Sequence, residues 1–329
     1  MNILFIGGTG IISSGCAKRL VQRSDVKLSF LLRGQSTRAV PDGVEVIRGD
    51  VRDPASLRAA LGDRKFDSVV NWVAFTTAHV QADIDYFQGR TGQYVFISSA
   101  SAYQTPPARL PVTESTPLKN PFWQYSRDKI ACEELLVRAY RDANFPVTIV
   151  RPSHTYDCRS LPMEGDWTAI ERMRRGKPVV VHGDGTSLWV LTHHDDFAKG
   201  FNGLLGNPHT LGEAFHITSD ELLSWNQIHE LLAAAAGTEA KLVHVPSDVI
   251  NRFDPRWGAG LLGDKAHSMI FDNSKIKTVV PEFSCTIPYA QGAREVIAWY
   301  DADPARRVID AEFDALTDRI IAAQARALG

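Results

Sequence analysis

The sequence predicts an α/β protein in which a doubly wound, parallel sheet of the Rossmann type is joined to a smaller mixed α/β domain. Three observations lead to this prediction. Short apolar runs alternate with helical patterns through the first half of the chain, a glycine-rich turn follows the first apolar run, and the alternation becomes mixed beyond Tyr156. Strands separated by helices at this spacing are typical of parallel sheets, because each crossover returns the chain to the same edge.

The predicted strands of the sheet are short apolar runs. They lie at residues 2–6, 27–32, 44–47, 68–73, 94–98 and 146–150. The helices predicted between them carry apolar residues at helical spacing, and they lie at residues 11–22, 54–61, 80–87 and 129–143. Only one helix fits between Val73 and Tyr94, so we expect a trimmed crossover there.

The second half of the chain predicts a mixed set of elements. Helices are predicted at residues 167–175, 195–204 and 226–236, and strands at 179–182, 214–217 and 242–245. The segment 304–328 repeats apolar residues at helical spacing, which indicates a final helix packed on the body or on a partner.

The composition is that of a globular protein with a sizeable core: 44% of the 329 residues are hydrophobic and 22% are charged. The net charge of −2 does not favour nucleic acid or an anionic membrane surface as a partner. No apolar run reaches the ~20 residues of a membrane span, and no signal peptide is evident. The four cysteines lie far apart, as reduced thiols do. We therefore expect a soluble, cytoplasmic protein.

A glycine-rich segment joins the first predicted strand to the first predicted helix. In that context Gly7 permits a tight turn, and Gly10 lets a pyrophosphate approach the N–H groups at the helix N-terminus. Ser13 replaces the third glycine of the usual pattern and is small enough for close packing. The alternative is a plain glycine turn. The predicted dinucleotide contacts in this segment are Gly7, Thr9, Gly10, Ile11 and Ile12.

Two further features indicate catalysis. Tyr125 and Lys129 are four residues apart, so they share one face of a helix, and a nearby ammonium is expected to lower the pKa of the phenol toward working pH. Ser99 follows the strand at 94–98, at the sheet edge where α/β proteins keep their active sites. The alternatives are an ordinary surface pair on a helix and a strand end capped by its own serine hydroxyls.

These three elements resemble the short-chain dehydrogenase/reductase superfamily. Further segments resemble its extended branch, the NAD-dependent epimerase/dehydratase family, and together the resemblance spans about residues 1–295. Those segments are Gly49-Asp50-Val51-Arg52-Asp53, Arg151-Pro152-Ser153-His154-Thr155-Tyr156, Gly183-Asp184-Gly185 and Phe271-Asp272-Asn273-Ser274-Lys275.

The resemblance implies a role for each matching position. Ser99 would be the catalytic hydroxyl, with Tyr125 and Lys129 as the acid/base pair, and Lys129 would also hold the nicotinamide ribose. Asp50 and Val51 would contact the adenine, Ala74 would lie beside the cofactor ribose, and Pro152 and His154 would flank the nicotinamide. The implied organisation is a dinucleotide-binding domain at 1–155, whose sheet is completed within 179–220, an interleaved substrate domain at 156–302, and a C-terminal helix at 303–329.

The residues at the end of the second predicted strand indicate whether the protein prefers NAD or NADP. An NAD enzyme would place an Asp or Glu there to bind the ribose 2′-hydroxyl, but this chain has Arg33, with Arg38 nearby. An arginine fork suits a 2′-phosphate, so NADP is the favoured cofactor. If Arg33 is only a solvated strand-end residue, NAD stays open.

Other departures from the family pattern narrow the chemistry. The Asp-Glu pair of the family's sugar-nucleotide dehydratases is replaced by Ala100 and Ser101, so that elimination route has no catalyst. Trp189 replaces an arginine that binds diphosphate in the epimerases, which counts against a nucleotide-linked sugar unless Arg252, Arg256 or Lys265 supplies the charge. The candidate substrate contacts are Ser101, Trp123 and Trp189.

No metal is expected. The run His193-His194-Asp195-Asp196 contains ligand-type residues, but adjacent side chains point apart, and a helix start explains the run better.

The leading hypothesis is an NAD(P)-dependent oxidoreductase or epimerase that moves a hydride to or from a secondary alcohol or ketone of a sugar-like small molecule. Two alternatives stay open. Plastid relatives of this branch, the chloroplast stem-loop-binding proteins, bind RNA on the same fold, so the fold alone does not establish catalysis. The other alternative is a regulator that senses NADP(H) without turnover. The expected partners are a small-molecule substrate and, in a homodimer, a second copy of the chain.

Overall fold

Seven parallel strands form the central sheet of this computed structural model, which describes residues 1–328. The strands are β1 (Asn2–Ile6), β2 (Lys27–Leu32), β3 (Glu45–Arg48), β4 (Ser68–Asn71), β5 (Tyr94–Ile97), β6 (Val147–Pro152) and β11 (Ala214–Ile217). Their spatial order is β11-β6-β5-β4-β1-β2-β3, so the direction of the winding changes beside β1. The predicted doubly wound, parallel sheet is confirmed. Gly329, the last residue of the predicted segment 303–329, lies outside the described residues.

Helices cover both faces of this sheet. On one face lie α1 (Ile11–Leu20) and α6 (His194–Leu204), whose apolar side chains pack with those of β1, β2 and β6. On the other face lie α2 (Pro54–Leu61), α3 (Thr77–Phe87) and α4 (Gln124–Ala143). Since helices cover both faces, β4 and β5 have no exposed residue, and the two polar residues of β4, Ser68 and Asn71, are hydrogen-bonded inside the protein.

The long helix α4 begins at Gln124, five residues before the predicted start at 129. Its first turn therefore includes Tyr125, which the prediction had left outside the helix. The helix ends at Asn144, whose backbone is left-handed with φ of 53° and whose N–H caps the last carbonyls. This start is what places Tyr125 and Lys129 on one regular helical face.

A second region is built from short strands and helices. Its strands pair as β7 (His154–Tyr156) with β10 (Leu191–His193), β9 (Leu188–Trp189) with β12 (Leu223–Ser224), and β8 (Val179–His182) with β13 (Leu242–Val245). Its helices are α5 (Trp167–Arg174), α7 (Trp225–Ala235), α8 (Ser247–Phe253), α9 (Pro255–Gly260) and α11 (Tyr289–Asp301). Large aromatic side chains, among them Trp167, Trp189 and Trp225, form its core. The helix α10 (Ser274–Val279) returns to the central sheet, where it packs against α6 and β11.

The final helix, α12 (Ala311–Leu328), packs against α5, α8, β8 and β13. It begins later than the predicted residue 304, because Pro304–Arg306 forms a separate 3₁₀ turn and the Asp310 carboxylate accepts hydrogen bonds from the first helical N–H groups. Arg172 of α5 pairs with Asp314 and Asp318 of α12 and fixes the helix there. Within residues 1–328, no helix is both long and apolar enough to cross a bilayer.

Candidate active site

The glycine turn after β1 has a backbone that only glycine adopts easily. Gly7 and Gly8 have φ of 92° and 111°, in the left-handed region. A Cβ on Gly8 would lie 2.8 Å from the Phe30 ring, so this position has neither the conformational nor the spatial freedom for a larger residue. The Gly10 N–H donates to the Ser13 hydroxyl at 2.8 Å, which explains how serine serves at the third position of the pattern.

A cavity of about 350 Å³ runs along the carboxyl ends of β1, β2 and β3. Its lining includes five of the predicted cofactor contacts: Gly7, Thr9, Arg33, Asp50 and Val51. Gly10, Ile11 and Ile12 form the start of α1 beside this cavity. An open groove at the strand ends, next to a glycine turn and a helix N-terminus, fits a bound dinucleotide.

Four arginines line this cavity: Arg33, Arg38, Arg48 and Arg52. Arg38 is already paired, since its guanidinium lies 3.0 Å from the buried carboxylate of Asp157. Arg48 was not predicted from the sequence. Its guanidinium lies against Gly34, which has φ of 82°, and a Cβ on that glycine would collide with it. Arg33 and Arg48 are therefore the arginines of this cavity that adjoin the end of β2.

The serine cluster forms a chain of hydroxyl groups behind the site. Ser99 follows β5, and its hydroxyl lies 2.9 Å from that of Ser101. The buried hydroxyl of Ser126, on α4, donates to Ser101 at 2.8 Å. Ser101 is 3% exposed, so the structure places this predicted substrate contact behind Ser99 rather than on an open surface.

Tyr125 lies near the Ser99 hydroxyl, but its pKa is shifted in the direction opposite to the prediction. Burial raises the pKa of Tyr125 to about 12, the Ser99 hydroxyl opposes that rise, and the Asp264 carboxylate adds to it. Lys129 does not lower this pKa, so the predicted lowering of the pKa of Tyr125 by Lys129 is wrong for this structure. The physical reason is that burial penalises the charged phenolate more than the available partners stabilise it.

Lys129 is 2% exposed and is held by backbone carbonyls. Its ammonium donates to the oxygens of Ala74 and Ile97, at 2.7 Å each, and lies 5.7 Å from the centre of the Tyr125 ring. Burial lowers the pKa of Lys129 to about 8. These contacts link α4 to the ends of β4 and β5, and they bring the predicted residue Ala74 to the site through its carbonyl.

From the sequence, no role is predicted for Asp264, and its neighbour Lys265 is named only as a possible source of charge for a diphosphate. They end a π-helical turn, Leu261–Lys265, and their side chains are 3.0 Å apart. The Lys265 ammonium lies 5.7 Å from the centre of the Trp123 ring. The π-helical turn is a feature common at functional sites, but it is not readable from residue spacing.

A larger cavity of about 490 Å³ lies in the second region, with the predicted residues Trp123 and His154 in its wall. The Trp123 ring is 4.9 Å from that of Tyr125, so the cavity adjoins the predicted catalytic residues. Trp189 is not part of this wall. It is 1% exposed, packs against Trp225, and its indole N–H donates to His154 Nδ1 at 3.4 Å. The prediction that a substrate stacks on Trp189 is therefore wrong. Trp189 instead supports His154 through this hydrogen bond.

The predicted divergence of the His193–Asp195 side chains is also wrong. Ligand-type atoms of His193, His194 and Asp195 lie within 4.8 Å of one another. Both histidine rings are engaged by the protein, however. His193 accepts from the Asp195 N–H and lies 3.2 Å from Glu295, while His194 Nδ1 lies 3.2 Å from the Ile11 carbonyl. The prediction of no metal thus rests on these contacts rather than on side-chain direction.

The site combines a groove at the strand ends, a glycine turn beside it, and the serine–tyrosine–lysine set. This combination is typical of a dinucleotide-dependent enzyme of the short-chain dehydrogenase/reductase class. The chain belongs to the NAD-dependent epimerase/dehydratase family, whose family model matches residues 3–217.

Known proteins similar to this chain include both enzymes and a protein named for nucleic-acid binding. The chain is 28% identical to a 2′-dehydrokanamycin reductase of Streptomyces kanamyceticus, over 75% of this chain and 70% of that protein. It is 25% identical to the 41 kDa b chloroplast stem-loop binding protein of Arabidopsis thaliana, over 74% and 65%. The fold is similar to UDP-glucuronic acid 4-epimerase from Bacillus cereus in complex with NAD, with a TM-score of 0.72, 21% identity and coverage of 93% and 100%.

Proposed function

We propose that this protein is an NADP(H)-dependent reductase that interconverts a ketone and a secondary alcohol on a sugar-like small molecule. The observation that carries the proposal is the approach of Tyr125 to Ser99 and Lys129, beside Trp123 in the wall of the larger cavity. When bound, the nicotinamide supplies or accepts the hydride. The similarity to the 2′-dehydrokanamycin reductase supports ketone reduction as the direction of the reaction.

Tyr125 is suited to donate a proton. With a pKa raised to about 12, its phenol is protonated at neutral pH and can protonate the alkoxide that forms when a ketone is reduced. Ser99 is placed to hold the ketone oxygen, and the hydroxyls of Ser101 and Ser126 fix its orientation. An ammonium has three N–H donors, and Lys129 uses two of them on carbonyls, which leaves one for a ribose hydroxyl.

The preference for NADP(H) rests on charge at the groove. No carboxylate stands at the end of β2, and Arg33 and Arg48 adjoin that end. A guanidinium binds a 2′-phosphate with charge-assisted, bidentate hydrogen bonds, whereas a 2′-hydroxyl offers no charge to neutralise. The sequence indicates Arg33 and Arg38 as the arginines that bind the 2′-phosphate. In this proposal Arg33 keeps that role, and Arg48 takes the place of Arg38.

The direct test is the consumption of NADPH by the purified protein with keto sugars, among them 2′-dehydrokanamycin. We expect turnover with freely exchanging NADPH. An epimerase would instead retain its cofactor through purification and interconvert two alcohols without net NADPH consumption, and that result would overturn the reductase proposal. A sensor without turnover would consume no NADPH with any ketone.

RNA binding is the second candidate, favoured by the similarity to the chloroplast stem-loop binding protein. Contacts to phosphates release counterions, so RNA binding by this fold predicts an affinity that falls steeply with salt. A filter-binding titration with a stem-loop RNA at two salt concentrations separates the candidates. We expect no saturable binding at physiological salt.

A further inference from the structure

Three histidines, His154, His182 and His229, supply uncharged polar groups to the wall of the larger cavity. His182 Nε2 lies 2.9 Å from the Lys265 carbonyl, and His229 Nδ1 lies 2.7 Å from the Trp225 carbonyl. Since a carbonyl only accepts, these nitrogens carry the ring protons, and the other nitrogen of each ring is an acceptor. Burial lowers the pKa of both histidines to about 4, so both rings are uncharged at neutral pH.

Donors complement these acceptors in the same wall. His154 accepts the Trp189 indole N–H on Nδ1, so its Nε2 carries the proton as a donor, and burial lowers its pKa to about 3. Trp225 is 2% exposed, and its indole N–H has no hydrogen-bond partner within residues 1–328. Neutral donors and acceptors around one cavity match hydroxyl groups, which both donate and accept.

Aromatic rings supply flat apolar surface beside these polar groups. Trp123, Trp225, Trp257 and Phe313 all line the cavity. Indole and phenyl faces pack against the C–H faces of sugar rings, while the polar groups around them satisfy the hydroxyls. The wall therefore combines the two kinds of contact that a sugar ring needs.

Two of the three cations among residues 1–328 that line this cavity, Arg172 and Lys265, are committed to carboxylates outside its wall. Arg172 is 2% exposed and pairs with Asp314 and Asp318. Lys265 pairs with Asp264 at 3.0 Å. A diphosphate carries about two negative charges, and burying it without free cations would be strongly unfavourable.

The remaining charges of the wall include an excess of acid. Arg256 is mostly exposed and lies 3.8 Å from Glu164. Asp166 has no cation within ion-pairing distance in the part of the chain that the structure describes. Both side chains are partly exposed to solvent, and the desolvation of their buried part raises the pKa of each carboxyl. A ligand amine would supply the missing positive charge.

We propose that the larger cavity binds an unphosphorylated, hydroxyl-rich sugar that carries an amine, and that it excludes nucleoside diphosphate sugars. This inference rests on the proposed function, because it names the substrate class of the same site. It combines the neutral donors and acceptors of His154, His229 and Trp225 with the unpaired carboxylate of Asp166.

The test is isothermal titration calorimetry on the full chain with NADP⁺ present, using neamine as a two-ring amino sugar without phosphate. Its fully N-acetylated form is the matched ligand without charge, and UDP-glucose is the competing class. We expect neamine to bind, the N-acetylated form to bind at least about fivefold more weakly, and UDP-glucose not to bind. An amine–carboxylate hydrogen bond of about 1 kcal/mol corresponds to this factor.

Asp166→Asn should weaken the affinity for neamine roughly fivefold, as N-acetylation of the ligand does. The affinity for the N-acetylated form should not change. The matched control is Asp63→Asn, because Asp63 is fully exposed and lies outside the cavity wall. Thermal melting of each variant checks folding. Binding of UDP-glucose tighter than that of neamine, or an unchanged affinity for neamine in a folded Asp166→Asn variant, overturns the proposal.

The outcomes for the two proposals can be told apart. If neamine binds as expected but no ketone is reduced with NADPH, the reductase proposal fails and the cavity assignment stands. If NADPH is consumed only with a nucleotide-linked ketose, the reductase proposal stands and the cavity assignment fails. Binding is measured without turnover, so neither result depends on the other.

Discussion

Arg151 of β6 and Glu133 of α4 form an ion pair of 2.6 Å inside the protein, and both side chains are less than one-tenth exposed. Glu133 also accepts a hydrogen bond from Ser98, the last residue before the predicted catalytic serine. Since Glu133 lies one turn beyond Lys129 on α4, this pair fixes the helix of Tyr125 against the strands that end at Ser99.

We expect Glu133→Gln to lower the free energy of unfolding by about 3–5 kcal/mol, because it leaves the Arg151 guanidinium buried without a counter-charge. Urea denaturation measures the change. Glu134→Gln is the matched control, since Glu134 is the next residue of the same helix and is exposed. A loss below about 1 kcal/mol in Glu133→Gln would show that the pair contributes no more than a surface salt bridge.

Tyr125→Phe removes the proposed proton donor while keeping the ring. We expect kcat for ketone reduction to fall by roughly 10²–10⁴-fold, with thermal stability and NADPH affinity nearly unchanged. The measurement is NADPH consumption together with a thermal melt. Tyr140→Phe makes the same change at an exposed position of α4 and should keep full activity. Equal activity in both variants contradicts the role of Tyr125.

Arg48→Gln tests the assignment of NADP(H). A charge-assisted hydrogen bond contributes about 1.5–3 kcal/mol, so kcat/KM for NADPH should fall by roughly 10- to 100-fold, while kcat/KM for NADH changes little. Arg58→Gln, at an exposed position of α2 outside the groove, is the control. Parallel losses with both cofactors would mean that Arg48 does not bind the 2′-phosphate.

Asp83 predicts a pH dependence of stability. This carboxyl is buried in α3, accepts hydrogen bonds from Tyr94 and Asn71, and has a pKa raised to about 7 because of burial. In the unfolded chain it titrates near ~4, so the folded state holds the proton more tightly. Its stabilising contribution is complete below the unfolded pKa and is lost as pH rises through about 7.

The buried histidines, whose pKa values are lowered, change stability in the opposite sense, so the effect of Asp83 is measured as a difference between two proteins. Asp83→Asn removes only this titrating group, so the melting temperature of the parent relative to that of Asp83→Asn should fall as pH rises from about 5 to about 8. Asp85→Asn, an exposed position on the same helix, should keep the pH dependence of the parent protein. A difference between the parent and Asp83→Asn that does not change over this range contradicts the raised pKa.

Features that depend on residues close in the chain could be predicted before the structure. The glycine turn follows from the sequence because the required backbone is set by Gly7 and Gly8 themselves. The shared face of Tyr125 and Lys129 follows from helical spacing alone. The strands of the sheet follow from apolar runs, since a strand buried on both faces is mostly apolar.

Features that depend on residues distant in the chain were missed or inverted. The Arg48 guanidinium reaches Gly34 from another strand, and Asp264 approaches Tyr125 from a turn within the second region. Trp189 was expected to face a ligand, but it is covered by Trp225 and supports His154 instead.

The sequence by itself determined the sheet, the glycine turn and the serine, tyrosine and lysine of the site, because local backbone preference and periodic burial specify these features. Only the tertiary structure decided the pKa of Tyr125, the partners of the arginines and the uncharged state of the histidines in the wall of the larger cavity. Burial and partner distance control all three, and both are set by segments that meet only when the chain has folded.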